Sequence, residues 1–215
     1  MKVKWLGHAS FLITADDGTR IITDPYIVGS GLKYGEINES ADIVTVSHDH
    51  FDHNNVASVG GNPRVVNDPA PTDIKGIKFR GIATYHDDNQ GKDRGNNIIF
   101  IMEVAGVTVC HLGDLGHPLS SRQVADIGKV DVLLIPVGGF FTIDAGVATE
   151  VYGKLNPRVV IPMHFKNDRC DFPIGSVEDF LQDKKAVIKA DATEAQFKAG
   201  ELPENTEIVV LDPAL

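Results

Sequence analysis

The stretch that most constrains this chain is Ser47-His48-Asp49-His50-Phe51-Asp52-His53-Asn54, which follows the apolar run Ile43-Val44-Thr45-Val46. Three histidines and two aspartates fall within residues 48–53. A short apolar run of this kind reads as a buried strand. Ionisable groups at the end of a buried strand are costly unless paired or bound to a metal. The spacing His-x-His-x-Asp-His therefore reads as part of a metal cluster, and the fold must bring further ligands to the end of that strand.

The other strand-like runs supply candidates. Residues 2–14 and 19–23 read as two strands joined by the turn Ala15-Asp16-Asp17-Gly18. The second ends at Asp24-Pro25, where proline stiffens the chain. Residues 26–41 read as a long loop, and 54–60 as a short helix. Strands follow at 64–66 and 77–85, the latter ending at His86. Residues 98–104 and 107–112 form a hairpin around Ala105-Gly106 that leads into Gly113-Asp114. Then strands and helices alternate. Helices are expected over 119–127 and 144–155, and one follows the capping-box segment Ser176-Val177-Glu178-Asp179. Asp131 to Val137 and Val159 to Met163 are continuous apolar runs, as in strands covered on both faces. The second of these ends at His164, and a last strand is expected over 207–211. Two sheets with helices on the outside, in one domain spanning 1–215, would place the site along one edge.

All eight histidines (His8, His48, His50, His53, His86, His111, His117 and His164) sit within or beside a predicted strand end. The pair His48 and His50 can aim at one point. Asp52 and His53 would aim at another nearby. One ion would then be held by His48, His50 and His86, and a second by Asp52, His53 and His164. Asp114 would bridge them, since a carboxylate has two oxygens to share. Such a donor set suits two divalent ions, with zinc leading and manganese or iron as alternatives. His111, inside an apolar strand, reads as core or as a support for a ligand. Cys110 reads as a small buried hydrophobe.

Composition narrows the partners. The formal net charge is −10, and no run of Lys and Arg exceeds the pair Lys184-Lys185. A nucleic-acid partner is disfavoured, because such binders carry a basic face. No apolar stretch approaches the ~18 residues of a membrane span. The N-terminal segment is broken at Trp5-Leu6-Gly7-His8 and does not read as a secretory leader. Two cysteines, Cys110 and Cys170, make no disulfide framework. A cytoplasmic protein acting on a small molecule is the expectation, with a homo-oligomer left open.

His48-x-His50-x-Asp52-His53 resembles the signature of the metallo-β-lactamase superfamily. Trp5-Leu6-Gly7-His8-Ala9-Ser10-Phe11, Gly113-Asp114-Leu115-Gly116-His117, Pro136-Val137-Gly138-Gly139-Phe140 and Ile161-Pro162-Met163-His164 resemble one branch of it. That branch contains ascorbate-6-phosphate lactonase and the phospholipase D that cleaves N-acylphosphatidylethanolamine. The resemblance covers nearly the whole chain. It implies an α/β fold, a four-layer αββα sandwich of two mixed sheets flanked by helices, with a one- or two-metal site at the sheet edge. It implies that His86, Asp114 and His164 complete the ligand set. It also implies that Asp24 supports the metal loop without binding metal.

The chemistry that follows is hydrolysis of a small ester, lactone or phosphodiester by a hydroxide shared between two ions. Such ions lower the pKa of bound water from 15.7 to about 7. Asp52 or Asp114 would orient the attacking oxygen, and His8 or His117 would donate a proton or else support the ligands. Lys33, Arg94, Lys166 and Arg169, in the loops at 26–41, 87–97 and 165–175, are candidates for holding an anionic group. A nuclease, a di-iron redox protein and a non-catalytic metal binder are the competing readings.

Overall fold

Alternating and continuous apolar runs build the strands of this chain, and the computed structural model describes residues 1–215. In chain order the first strands are β1 (Lys2–Gly7), β2 (Ser10–Thr14), β3 (Arg20–Thr23), β4 (Ile43–Thr45), β5 (Arg64–Val66), β6 (Thr72–Ile74) and β7 (Ile77–Tyr85). Then come β8 (Asn96–Val104), β9 (Val107–His111), β10 (Val132–Pro136), β11 (Val159–Met163), β12 (Val187–Lys189), β13 (Glu194–Gln196) and β14 (Glu207–Val210). Three helices interrupt them: α1 (Ser121–Ile127), α2 (Ala145–Leu155) and α3 (Val177–Leu181).

The strands form two mixed sheets, ordered β13-β1-β2-β3-β4-β5 and β12-β14-β11-β10-β9-β8-β7-β6. Pairing is parallel for β3-β4-β5 and for β12-β14-β11-β10-β9, and antiparallel elsewhere. The period of two along a strand divides its side chains between two cores. Phe11, Ile13, Ile21 and Ile43 face the main core between the sheets. Their neighbours Leu12, Ile22 and Val44 face a second, smaller core. Helix α1 packs on β7 and α2 on β10, so the α-helices cover the eight-stranded sheet. Every residue of β10 and β11 is buried, as expected of strands covered on both sides.

Four details differ from the sequence reading. Residues 2–14 are not one strand. They fold back at His8-Ala9 as an antiparallel pair, with Lys2 opposite Thr14 and Trp5 opposite Phe11. Gly7 makes this reversal, at φ 130° and so close to Tyr34 that a Cβ would lie 2.5 Å from its ring. The Trp5 indole closes it by donating to His8 O (3.0 Å). The outer face of the six-stranded sheet is covered mainly by the 26–41 loop, through Tyr26, Leu32, Tyr34 and Ile37. The short helix expected over 54–60 is a single 3-10 turn at Val56–Ser58. Strands β6, β12 and β13 are three-residue edge elements with too little apolar periodicity to be read in advance. No helix is long and apolar enough to cross a membrane.

Candidate metal centre

The loops after β1, β3, β4, β7, β9 and β11 converge on one edge of the sandwich, carrying His8, Asp24, residues 48–53, His86, Asp114 and His164. Three of these residues end their strands in the left-handed backbone region: His8 (φ 52°), Asp24 (φ 37°) and His164 (φ 51°). Left-handed non-glycine residues cost about 1–3 kcal/mol each and cluster at functional sites. Here the turn redirects each side chain from the sheet face toward the shared edge.

Asp114 lies at the centre. Its Oδ2 is 3.2 Å from His53 Nε2, 3.2 Å from His86 Nε2, 3.3 Å from His164 Nε2 and 4.0 Å from His48 Nε2. His48, His50 and His86 gather their ligand atoms into one group, and Asp52, His53 and His164 gather theirs, with His8, into a second. The structure thus brings these candidate ligands together beside Asp114, with His8 joining one group, and His48 and His53, expected to serve different ions, also meet at Asp24.

A second set of contacts orients these side chains. His53 Nδ1 donates to Asp24 Oδ2 (2.9 Å), so its Nε2 points into the cluster. His48 Nδ1 meets Ser47 Oγ (2.9 Å), and that hydroxyl donates to the same Asp24 oxygen (2.5 Å). The Ser47 amide donates to Asp24 Oδ1 (2.8 Å). Fully buried Asp24 therefore fixes the tautomer and aim of one imidazole in each group. The Asn97 side chain accepts from the Asp114 amide (2.9 Å) and donates to Thr84 Oγ1 and Leu112 O, pinning the loop that carries Asp114.

The buried atoms His48 Nε2, His53 Nε2 and Asp114 Oδ1 have no hydrogen-bond partner in the protein. Unpartnered buried acceptors are expensive. Two imidazole nitrogens and a carboxylate oxygen left in this way within one cluster match the donor set of a divalent transition metal.

A model of the family described as the Beta-lactamase superfamily domain matches residues 2–164, from β1 through His164. The chain belongs to the metallo-β-lactamase superfamily. A Thermotoga maritima structure described as a Zn-dependent hydrolase of this superfamily is 38% identical, with a TM-score of 0.81, covering 98% of this chain and 97% of that one. A UPF0173 metal-dependent hydrolase of Thermococcus onnurineus is 30% identical over 77% of this chain and 84% of its own length. One of Carboxydothermus hydrogenoformans is 31% identical over the same shares. The superfamily hydrolase fold and the His/Asp cluster thus agree.

The remaining predicted residues of this metallo-β-lactamase superfamily member fall in different places. His8 Nε2 lies 3.2 Å from Asp52 Oδ2, and its ring packs 4.1 Å from that of His164. His117 does not join the cluster. Its Nε2 accepts from the Tyr85 amide (3.3 Å) and its Nδ1 donates to Pro118 O (2.9 Å). His111 bridges strands as a core strut, donating to Ala9 O (2.8 Å) and accepting from the Gly113 amide (3.2 Å). Cys110 is fully buried among apolar side chains. Sequence reasoning overlooked Ser47, Asn97 and Asp87. The Asp87 carboxylate accepts from four amides, those of Asn89 (2.8 Å), Gly91 (2.7 Å), Asp93 (3.0 Å) and Arg94 (2.8 Å). Nothing local in the sequence separates these three from ordinary loop and strand-end polar residues.

Electrostatics in the ligand-free cluster run in two directions. Burial, reinforced by neighbouring imidazoles, pushes His48 from 6.5 down to about 3 and His8 down to about 4. Burial opposes charge on His53 too, but Asp114, Asp52 and Asp24 outweigh it and hold His53 well above the usual value. Burial likewise raises Asp114, and His164 and His53 more than reverse this, leaving it well below the carboxylate range. Below pH 6.5 the unfolded chain protonates His8 and His48 while the folded chain keeps them neutral down to about 4 and 3. Stability must therefore fall as pH drops, by about 1.4 kcal/mol per pH unit for each withheld proton. His53 is protonated in both states across that window and adds no slope there. Its own contribution is complete below pH 6.5 and is lost as pH rises through its raised pKa. Chelator-treated protein is expected to show a urea midpoint that declines steadily from pH 6.5 to pH 4. A flat or rising midpoint contradicts the burial of neutral imidazoles.

Proposed function

We propose that this superfamily hydrolase is binuclear, in the branch its motifs resemble, and cleaves a small ester, lactone or phosphodiester. One observation carries the reading: two candidate ligand groups, His48/His50/His86 and Asp52/His53/His164, meet at the buried carboxylate of Asp114. Divalent ions bound there would acidify water toward neutral pH and polarise the oxygen that gains charge during attack.

The chain's own groups have distinct tasks. Asp114 lies between the two ligand groups and supplies negative charge to both. Asp24, through Ser47 and directly, holds His48 and His53 with their Nε2 atoms facing inward. His8, kept neutral at pH 7 by burial, donates to Asp52 and sets that carboxylate's orientation. This favours a positioning role for His8 over proton donation. His117 has both ring nitrogens committed to backbone and supports the turn beside His86. The cleft at the cluster is lined by one cationic side chain, Arg94, which suits a small substrate better than a polyanion.

The test is metal removal and return. Chelation is expected to abolish hydrolysis across a panel of lactones, aryl esters and phosphodiesters. Zinc, manganese or iron, added singly, is expected to restore it with two ions per chain by elemental analysis. Full activity at one ion per chain contradicts the binuclear reading. Iron with a visible chromophore and no hydrolysis points instead to redox chemistry.

A further inference from the structure

The cleft beside the metal centre has two unlike lobes. One, of about 440 Å³, has Phe51, Phe141 and Phe172 in its wall together with the ligands His50, His86 and Asp114. The other, of about 470 Å³, is lined by Asn54, Asn67 and Asn96. His50 and Arg94 belong to both.

Arg94 stands apart from the other basic candidates. Lys33 pairs with Asp171 (2.6 Å), Lys166 donates to Phe172 O (3.2 Å), and Arg169 is bound to Leu215 O at the chain end. The Arg94 guanidinium makes no ion pair and rests over the Phe141 ring, 5.5 Å from its centre. The two other charged side chains lining the lobes outside the ligand set, Asp49 and Asp93, accept from Asn54 Nδ2 (2.7 Å) and Asn89 Nδ2 (3.2 Å). The Arg94 backbone is fixed as well, because Asp87 gathers its amide with three others of the loop. An unpaired guanidinium on a tethered loop is preorganised for an oxyanion.

The apolar lobe is equally deliberate. Phe140 is 63% exposed and held at φ 62°, a left-handed conformation that a bulky residue adopts only when its surroundings enforce it. Its ring packs edge-on against Phe141, with centroids 4.7 Å apart. Phe141 in turn packs on Phe172 at 5.6 Å, and Phe172 on His8 at 5.6 Å. Phe51, 44% exposed, sits between the ligands His50 and Asp52 in sequence. The aromatic wall therefore runs from solvent to the ligand cluster.

We propose that these lobes define the substrate as a small amphiphile. Its anionic group, a carboxylate or phosphate, is held by Arg94, and its aryl or alkyl group lies against Phe51, Phe141 and Phe172. The bond to be cut lies between them, beside His50 and Asp114. The position of that bond rests on the hydrolase reading above, whereas the binding assignment does not.

Calorimetric titration with four probes tests this: 4-phenylbutyrate, 2-phenylethyl phosphate, uncharged 4-phenylbutanol and non-aromatic butyrate. Both metal-loaded and chelator-treated protein are titrated. In both forms an anionic phenyl probe is expected to bind about tenfold tighter than 4-phenylbutanol, the scale of one charge-assisted contact. The carboxylate and phosphate arms show which anion is preferred. Arg94→Gln removes the preference and Arg94→Lys restores most of it, while Phe141→Ala brings 4-phenylbutyrate down to the level of butyrate. An unchanged preference in Arg94→Gln overturns the proposal. So does a preference that vanishes with the metal, since the anion would then sit on the ions. Arg94-dependent binding in a protein that hydrolyses nothing upholds the proposal and removes the hydrolase reading alone.

Discussion

Asp114→Ala is expected to lower hydrolysis by at least about a thousandfold, since metal-site charge stabilisation supplies several kcal/mol at about 1.4 kcal/mol per tenfold. The reason is geometric. Asp114 Oδ2 is the one atom within 3.3 Å of imidazoles from both ligand groups, His86 on one side and His53 and His164 on the other. Without it the two groups lose their shared anion, and bound metal should fall from two ions per chain to one or fewer. The fold should survive, because the Asn97 contact that pins this loop is to the Asp114 backbone amide, which alanine keeps. Elemental analysis, circular dichroism and rate measurements on the same preparation separate these outcomes. Full metal content with wild-type rates would remove Asp114 from the centre.

Asp24→Ala should act differently, on stability first. Asp24 is fully buried and accepts from the Ser47 amide, the Ser47 hydroxyl and His53 Nδ1. Alanine leaves three buried donors without an acceptor. Breaking a buried charged contact by removing one partner costs about 3–5 kcal/mol. A large fall in thermal midpoint is expected, together with the 10–100-fold loss of metal affinity typical when a ligand's supporting carboxylate is removed. Asp24→Asn, which keeps the shape, should recover much of the stability and less of the affinity. A variant with wild-type midpoint and affinity would show that Asp24 supports neither imidazole.

The two cases also show what sequence could reveal. The candidate ligands stand out in the sequence because each follows an apolar strand, although His8, His111 and His117 share that placement and serve as supports. His86, Asp114 and His164 lie 36, 64 and 114 residues beyond His50 in the chain, and strand-end placement together with the family resemblance is what singles them out as candidates. The residues that aim the ligands were not legible by the same logic. Ser47 and Asn97 matter through partners brought near only by sheet packing, and Asp87 through a turn that the loop itself must first adopt. The reversal at His8 was hidden because apolar residues continue on both sides of it, so residues 2–14 resemble one long strand. The expectation of anion binding was spread over four basic residues. Three of them are occupied, Lys33 and Arg169 by partners distant in sequence and Lys166 by the carbonyl of nearby Phe172, a fact only the folded chain displays.

The ligands also come from two different sheets. His48, His50, Asp52 and His53 follow a strand of the six-stranded sheet, whereas His86, Asp114 and His164 follow strands of the eight-stranded one. Ions held among them would act as a clasp across the seam of the sandwich. Prising the sheets apart at that edge and releasing the metal then become one event. Loss of bound ions would then be tied to opening of that apolar interface, so the packing that folds the chain would also retain the metal.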